Sequence, residues 1–272
     1  MNPFLKWPGA KKLLCDLLKS KLPRKFNNYF EPFIGGGSLF LYLALPNTTI
    51  NDINKPLINC YQQVKTNVNN FIDQIKAIDN HKITNDYYLE IREQFNNKLS
   101  TNTLDLECAA LMYWLNKRCF NGLYRISKKG QFNASWNKST SPIAIDEDNL
   151  KQVATYLSKV KIFNEDFEQI CSMANKHDFI YIDSPYVPIS ESASFTSYNA
   201  EGFYNDDHLR LAKVVDDLTN RKVFVMLSNH NVELVRQLYK GYYFDIIKVS
   251  RRINTDATKR SGCEEVIITN YK

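Results

Sequence analysis

Seven short runs of β-branched, aliphatic and aromatic residues constrain the fold of this chain more than any other feature. They lie at Tyr29 to Phe33, Thr49 to Ile53, Val160 to Phe163, Phe179 to Ile182, Val223 to Leu227, Phe244 to Val249 and Val266 to Thr269. Polar residues bound each run, as expected for short buried strands. Several gaps between them carry a helical period, for example Leu209, Leu211, Ala212, Val215 and Leu218, or Val232, Val235, Leu238 and Tyr239. Strand alternating with helix predicts an open α/β sheet. Residues 56–154 break the alternation. There Leu57, Ile58, Tyr61 and Val64, then Phe71, Ile75 and Ile78, then Leu106, Ala109, Ala110, Tyr113 and Trp114 keep helical spacing, which predicts about a hundred residues of helix inserted between the second and third strands. The expected organisation is a discontinuous domain of residues 1–55 and 155–272 with residues 56–154 as a helical insertion.

Composition narrows the class. With 272 residues, 44% of them hydrophobic, the chain can bury a core and has no bias towards disorder. No apolar run is long enough for a membrane span, and Met1-Asn2-Pro3-Phe4-Leu5-Lys6 lacks the basic-then-apolar layout of a signal peptide, so a soluble cytoplasmic protein without membrane partners is expected. Cysteines stand at 15, 60, 108, 119, 171 and 263 with no Cys-x-x-Cys pair and no histidine at zinc-finger spacing. They read as reduced thiols, with no metal site.

The charge is unevenly spread. Residues 1–25 carry seven Lys/Arg and one acid, residues 115–140 six and none, and residues 248–260 five and one. Those segments hold a net +16, and because the whole chain is only +6 the remainder stands at −10. Three basic segments gathered on one side would give a nucleic-acid surface.

Three motifs carry chemistry. Phe30-Glu31-Pro32-Phe33-Ile34-Gly35-Gly36-Gly37-Ser38 places three of the chain's nine glycines between a strand and a helix predicted to start near Ser38. Such a turn admits close backbone approach of a ligand, and it is equally a tight turn in its own right. Asn51-Asp52-Ile53 adds an acid at the end of the next strand, where a carboxylate holds ribose hydroxyls. The pair suggests a nucleoside-bearing cofactor, and the spacing does not fit Gly-x-Gly-x-x-Gly, which disfavours NAD. Phe179-Ile180-Tyr181-Ile182-Asp183-Ser184-Pro185-Tyr186 is a strand ending in an acid, a proline and an aromatic, at the carboxyl edge where open sheets bind ligands. A strand followed by a proline turn explains it as simply. Asn116-Lys117-Arg118-Cys119-Phe120-Asn121-Gly122-Leu123-Tyr124-Arg125, with Lys128 to Asn133 behind it, interleaves cations, aromatics and amides. That mixture suits phosphate contact, stacking and base-edge reading, and also a solvated basic loop.

In this order, these residues resemble the Dam family of DNA adenine N6-methyltransferases (the D12 class, alpha group). The likeness opens at Phe4-Leu5-Lys6-Trp7-Pro8-Gly9-Ala10-Lys11 and runs through the glycine motif, Asp52-Ile53-Asn54, Asn121-Gly122-Leu123 and Leu227-Ser228-Asn229-His230 to the last strand. It implies a Rossmann-like S-adenosylmethionine-dependent methyltransferase sheet of seven mostly parallel strands with an inserted target-recognition domain. S-adenosylmethionine is then the cofactor, with Trp7 and Lys11 closing over it, Phe33 to Gly37 (Gly35 and Gly37 among them) forming its floor, Asp52 on the ribose, Asp166 and Phe167 at the adenine, and Glu31, Pro32 and Asp183 also among its binding residues. Asp183, Ser184, Pro185 and Tyr186 carry the catalysis on an adenine flipped out of duplex DNA. Lys6, Phe120, Asn121, Leu123 and Arg125 contact the DNA, with Arg125 reading a guanine and Phe120 wedging into the duplex, and Arg251, Arg252, Lys259 and Arg260 flank it.

Two departures stand out. Ser184 replaces the first proline of the family's Asp-Pro-Pro-Tyr, which keeps the backbone carbonyl and gives up a fixed φ; a more mobile turn and slower catalysis are expected. Phe132-Asn133-Ala134-Ser135-Trp136-Asn137 departs from the family's Phe-Asn-x-Pro-x-Gly. The expected target is GATC or a related short palindrome. A companion restriction endonuclease fits this reading, as does a monomer or weak dimer. Two rival readings are a DNA-binding protein with little or no catalysis, motivated by Ser184, and an adenine methyltransferase acting on RNA or single strands.

Overall fold

The computed structural model describes residues 1–9, 11–189, 203–249 and 263–272. All seven expected strands are present, at Tyr29–Glu31 (β1), Thr48–Asn51 (β2), Lys161–Phe163 (β3), Phe179–Ile182 (β4), Phe224–His230 (β5), Tyr243–Val249 (β6) and Cys263–Thr269 (β7). They form a seven-stranded sheet in the order β3-β2-β1-β4-β5-β7-β6. Pairing is parallel for β1–β4, β2–β3 and β4–β5 and antiparallel where β7 meets β5 and β6. The α/β class and the mostly parallel sheet expected from the sequence are therefore those observed. No helix among the described residues is long and apolar enough to cross a membrane.

The chain divides into two compact units. The first holds residues 1–21 and 34–165, with β2 and β3. Its bulk is helical: α3 (Lys55–Asp79), α4 (Asn85–Ser100), α5 (Leu106–Arg118) and α6 (Glu147–Leu157), preceded by the short α1 (Cys15–Ser20) and α2 (Ser38–Leu43). Side-chain caps start the long helices. Asn54 accepts from Leu57 N, Thr84 from Tyr87 N, Asp105 from Cys108 N and Asp146 from Asn149 N, each satisfying an N–H that the helix leaves unpaired. Helix α5 is buried nearly all round, from Cys108 through Asn116 and again at Arg118, and its Trp114 is fully buried in the core.

The insertion is not helical throughout, as its spacing had suggested. After α5 the chain makes a short 3-10 turn at Phe120–Gly122 and runs without helix to Asp146, with isolated bridges Cys119–Trp136 and Ile126–Phe132. The reason is local. Helix α5 stops at Cys119, whose backbone is extended (φ −82°, ψ 161°), and the left-handed Asn121 (φ 54°) and Gly122 (φ 67°) keep a right-handed helix from resuming. Beyond them a polar scaffold replaces the helix. Asp79 accepts from Arg118 Nη2 at 2.5 Å, Trp114 Nε1 at 2.8 Å and Ile143 N at 2.7 Å, while Arg118 Nη1 donates to Ser139 O at 2.9 Å. Arg118 and Asp79 are almost wholly buried, so this pair fixes the course of residues 139–143 from inside the helical core.

The second unit holds residues 22–33 and, as far as described, 166–272. It contains β1, β4, β5, β6 and β7 and the helices α7 (Phe167–Ser172), α8 (Asn205–Asn220) and α9 (Glu233–Leu238). Its β4 is buried at every residue, and β5 from Val225 to His230, as expected of strands covered on both faces.

Candidate active site

In the first unit, the glycine triplet links β1 to α2. Gly35 (φ 48°) and Gly37 (φ 69°) are left-handed, and Gly37 caps the start of α2. A Cβ at Gly35 would lie 2.8 Å from Trp7 Cδ1, one at Gly36 2.9 Å from Trp7 Cβ, and one at Gly37 2.6 Å from the Tyr61 hydroxyl. Packing alone thus requires all three glycines, and Trp7 lies directly on them. Asp52 follows β2 and fastens the loop: its Oδ2 accepts from Gly35 N at 3.0 Å and its Oδ1 from Asn54 N at 3.0 Å. Burial pushes the Asp52 carboxyl up to about 6 against those two hydrogen bonds, which pull it down. Each oxygen keeps a second lone pair for an incoming hydroxyl.

Tyr61, read from the sequence only as part of an apolar helical face, donates its hydroxyl to Gly35 O at 3.1 Å. Its helical period hid that role. Lys11 is buried and its Nζ donates to Gly9 O at 2.7 Å.

Lys6, Phe120, Asn121, Leu123 and Arg125, expected from the sequence to contact DNA, lie in the same unit. Asn116 accepts from Lys6 N at 2.8 Å and donates to Lys6 O at 2.7 Å and Gly122 O at 3.2 Å. A Cβ on Gly122 would lie 2.4 Å from Lys6 Cβ, so residue 122 must be glycine for Lys6 to sit there. Trp7 stacks on Tyr124 with centroids 5.6 Å apart, which places the side chain that covers the glycine loop against the segment carrying Phe120, Asn121, Leu123 and Arg125. Phe120 is 56% exposed, high for a large aromatic and suited to insertion between bases. Arg125 is exposed, and Asn133 holds it through Nε to Oδ1 at 2.7 Å and Nη2 to the backbone O at 2.8 Å. Asn96 on α4 anchors the same turn through both backbone groups of Phe132. Burial, and then the charge of Lys6, push the Lys117 ammonium down to about 8. Arg251, Arg252, Lys259 and Arg260 lie outside the described residues.

The second unit carries the other candidates. Glu31 is buried and accepts from the Tyr29 hydroxyl; Pro32 follows it. Phe33 meets Phe167 at 5.3 Å and Phe203 at 5.9 Å, an aromatic group of the kind a purine ring packs on. Asp166 is committed to the protein: Oδ1 caps Glu168 N at 2.9 Å and Oδ2 accepts from Arg210 Nη1 and Nη2 at 3.0 Å. Arg210 also lies over the Phe167 ring, 4.4 Å from its centroid. Asp183, Ser184, Pro185 and Tyr186 follow directly from β4. Tyr186 stands edge-on to His230 at 4.9 Å, and burial keeps its phenol well above the usual tyrosine range. Among the described residues no cluster of His, Cys, Asp and Glu could hold a metal ion.

An acid-Ser-Pro-Tyr turn at the carboxyl end of a buried strand, with the glycine loop and Asp52 elsewhere in the chain, is the setting in which the sequence comparisons become decisive. Residues 7–255 match the family of D12 class N6 adenine-specific DNA methyltransferases. The chain belongs to that family. It is 38% identical over 275 residues to the Type II methyltransferase M1.LlaDCHI of Lactococcus lactis subsp. cremoris, covering 100% of this chain and 96% of the relative. It is 36% identical over 288 residues to the Type II methyltransferase M.MjaIII of Methanocaldococcus jannaschii (100% and 99% covered) and 33% over 269 residues to a DNA adenine methylase of Haemophilus influenzae (98% and 92%). For this D12 methyltransferase, DNA is the substrate and adenine the modified base.

Proposed function

We propose that this D12 methyltransferase transfers a methyl group from S-adenosylmethionine to N6 of an adenine flipped out of duplex DNA, at GATC or a related short palindrome. The observation that carries the reading is the placement of Asp183-Ser184-Pro185-Tyr186 at the carboxyl end of β4, where open α/β sheets present ligand-binding residues. The residues fit the cofactor. In the first unit Asp52 keeps acceptor capacity for ribose hydroxyls and Trp7 covers the glycine loop; in the second, half-buried Phe33 offers an aromatic face to an adenine, with buried Phe167 packed against it under Arg210. When bound, that cofactor supplies an electrophilic methyl group on a sulfonium.

The chain's own residues supply the rest. An adenine N6 lone pair is delocalised into the ring and attacks only as the nitrogen moves towards tetrahedral. The Asp183 carboxylate and the Ser184 backbone carbonyl accept hydrogen bonds from its two N–H groups and favour that geometry, stabilising charge where it develops, and one of those two protons is released to solvent once the nitrogen carries the methyl group. Tyr186 stacks on the extruded base, so its separation from the duplex is partly offset. The remaining barrier is lowered by holding the nitrogen in line with the methyl group. Residues 1–55 and 155–272 form the catalytic part on this reading, and 56–154 the recognition part, with Arg125 donating to guanine O6 and N7. The two relatives named Type II methyltransferases support a companion restriction endonuclease whose cleavage this methylation blocks.

The test is transfer of labelled methyl from S-adenosylmethionine to duplex oligonucleotides, followed by mapping of methylated adenines in DNA from cells expressing the protein. Label appearing at adenines of one short palindrome supports the reading. Label only on RNA or single strands, or duplex binding without transfer, would replace it with one of the rivals.

A further inference from the structure

The catalytic turn lacks the family's first proline; Ser184 in its place is 2% exposed, and among the described residues its Oγ has no hydrogen-bond partner. The turn is nevertheless held at both ends by a single strand. At its start Ile182 pairs in parallel register with Leu227 on β5. At its end both backbone groups of Val187 are gripped by the side chains two and three residues further along β5. Val187 N donates to Asn229 Oδ1 at 3.0 Å, and the same oxygen accepts from His230 N at 2.8 Å. His230 Nδ1 lies 2.7 Å from Val187 O; a ring nitrogen facing a carbonyl carries the proton, which sets the tautomer. Between these ends, Tyr186 packs edge-on against the His230 ring and its hydroxyl donates to Glu265 Oε2 at 3.4 Å, on the β7 residue paired with His230.

We infer that Asn229 and His230 are positioning residues which fix the catalytic turn by clamping Val187, and that this clamp takes over the restraint a proline at position 184 would provide. The inference rests on the proposed role of the Ser184 carbonyl. A segment tied at Ile182 and Val187 has four residues between two fixed points. Fixing both ends removes most of the freedom that a serine φ adds, so the carbonyl of residue 184 keeps its aim without a ring to hold it. Asn229 serves as a double acceptor and His230 as a donor, and neither touches the reacting atoms.

The experiment uses the full-length protein and four variants: His230→Ala, His230→Asn, Ser184→Pro, and His230→Ala combined with Ser184→Pro. Asparagine keeps an N–H donor where histidine has Nδ1. Two readouts are taken, amide hydrogen exchange of a peptide spanning residues 183–188 and steady-state methylation of a duplex oligonucleotide. His230→Ala is expected to speed exchange at Val187, whose own acceptor is Asn229, by about tenfold, and to lower kcat by about tenfold with the DNA KM within about threefold, the loss of one buried hydrogen bond. His230→Asn should restore both to within about threefold of the parent. Adding Ser184→Pro to His230→Ala should recover most of the kcat. In the parent background Ser184→Pro should change exchange by less than about threefold, because the turn is already fixed. Unchanged exchange in His230→Ala, or a kcat loss that neither asparagine nor proline recovers, overturns the clamp. If His230→Ala does not fold, the Ser184→Pro exchange decides: a large slowing in the parent background shows a loose turn and overturns it. A parent that transfers no methyl group defeats the proposed function, and the clamp is then judged by exchange alone.

Discussion

The glycine loop and the catalytic turn reach well-defined shapes by opposite means. Residues 33–37 depend on missing side chains: Gly35 and Gly37 adopt left-handed φ and leave the space that Trp7 and Tyr61 fill. Residues 183–187 contain no glycine, and distant side chains on β5 and β7 hold them from outside. A loop of the first kind writes its constraint into its own residues. One of the second kind writes it some forty residues away, at Asn229 and His230, outside the turn it holds.

Four measurements would sharpen or break this contrast. The largest effect belongs to the turn's own carboxylate. Asp183→Ala should lower methyl transfer by on the order of 10²–10³-fold, the cost of removing one group aimed at developing charge, with duplex affinity within a few fold by filter or anisotropy binding. Equal losses of binding and turnover would show that Asp183 holds the fold or the DNA instead.

Next comes Asp52, whose effect depends on pH. Its carboxyl stands at about 6 in the folded protein against 3.8 ordinarily, chiefly through burial, so the folded state holds the proton more tightly than the unfolded chain. That contribution to stability is fully present below about pH 4 and lost as pH rises through 6, up to about 3 kcal/mol in all. Urea unfolding of Asp52→Asn should therefore lack this slope between pH 4 and 7. Ribose hydroxyls donating to the ionised carboxylate would favour its charged form, so binding of S-adenosylhomocysteine should strengthen as pH rises from 5 to 7, by at most tenfold per unit. Calorimetric affinities independent of pH over that range would remove Asp52 from the ribose.

Gly37→Ala tests the loop that depends on absent atoms. The added methyl meets the Tyr61 hydroxyl at 2.6 Å on a left-handed backbone, which should cost about 1–3 kcal/mol in urea unfolding. Adding Tyr61→Phe removes the clashing oxygen and should return part of that loss; no return would locate the strain in the backbone alone. The smallest effect is Ser184→Pro in the parent protein. A clamped turn gains no more than the unfolded-state contribution, about 0.4–1 kcal/mol, and a stabilisation well above that by thermal or urea unfolding would mean that the clamp holds poorly.

How much of this the sequence displayed follows the same division. Strands β4 and β5 showed themselves because burial on both faces demands apolar runs, and α3 because one buried helix face repeats at helical spacing. The stretch from Leu123 to Asp146 did not, because its shape comes from the buried Arg118–Asp79 pair, from Asn96 and Asn116 binding backbone groups, and from Arg125 donating to Asn133 Oδ1 and O. Single polar residues in such roles have no period to detect. Asp166 shows the converse: its place in the motif was legible, and its commitment to Arg210 and the start of α7 was not.

The N-terminal residues set a timetable for synthesis. Asn2 exchanges hydrogen bonds with Asn149, and Lys6 with Asn116, while Phe4 and Leu5 are buried. These partners are separated by 147 and 110 residues, so at about 5–20 residues per second residues 2–6 wait several seconds or more for their neighbours to be made. Until then two core side chains stay in solvent, and the first unit closes only after most of its helical insertion has been made.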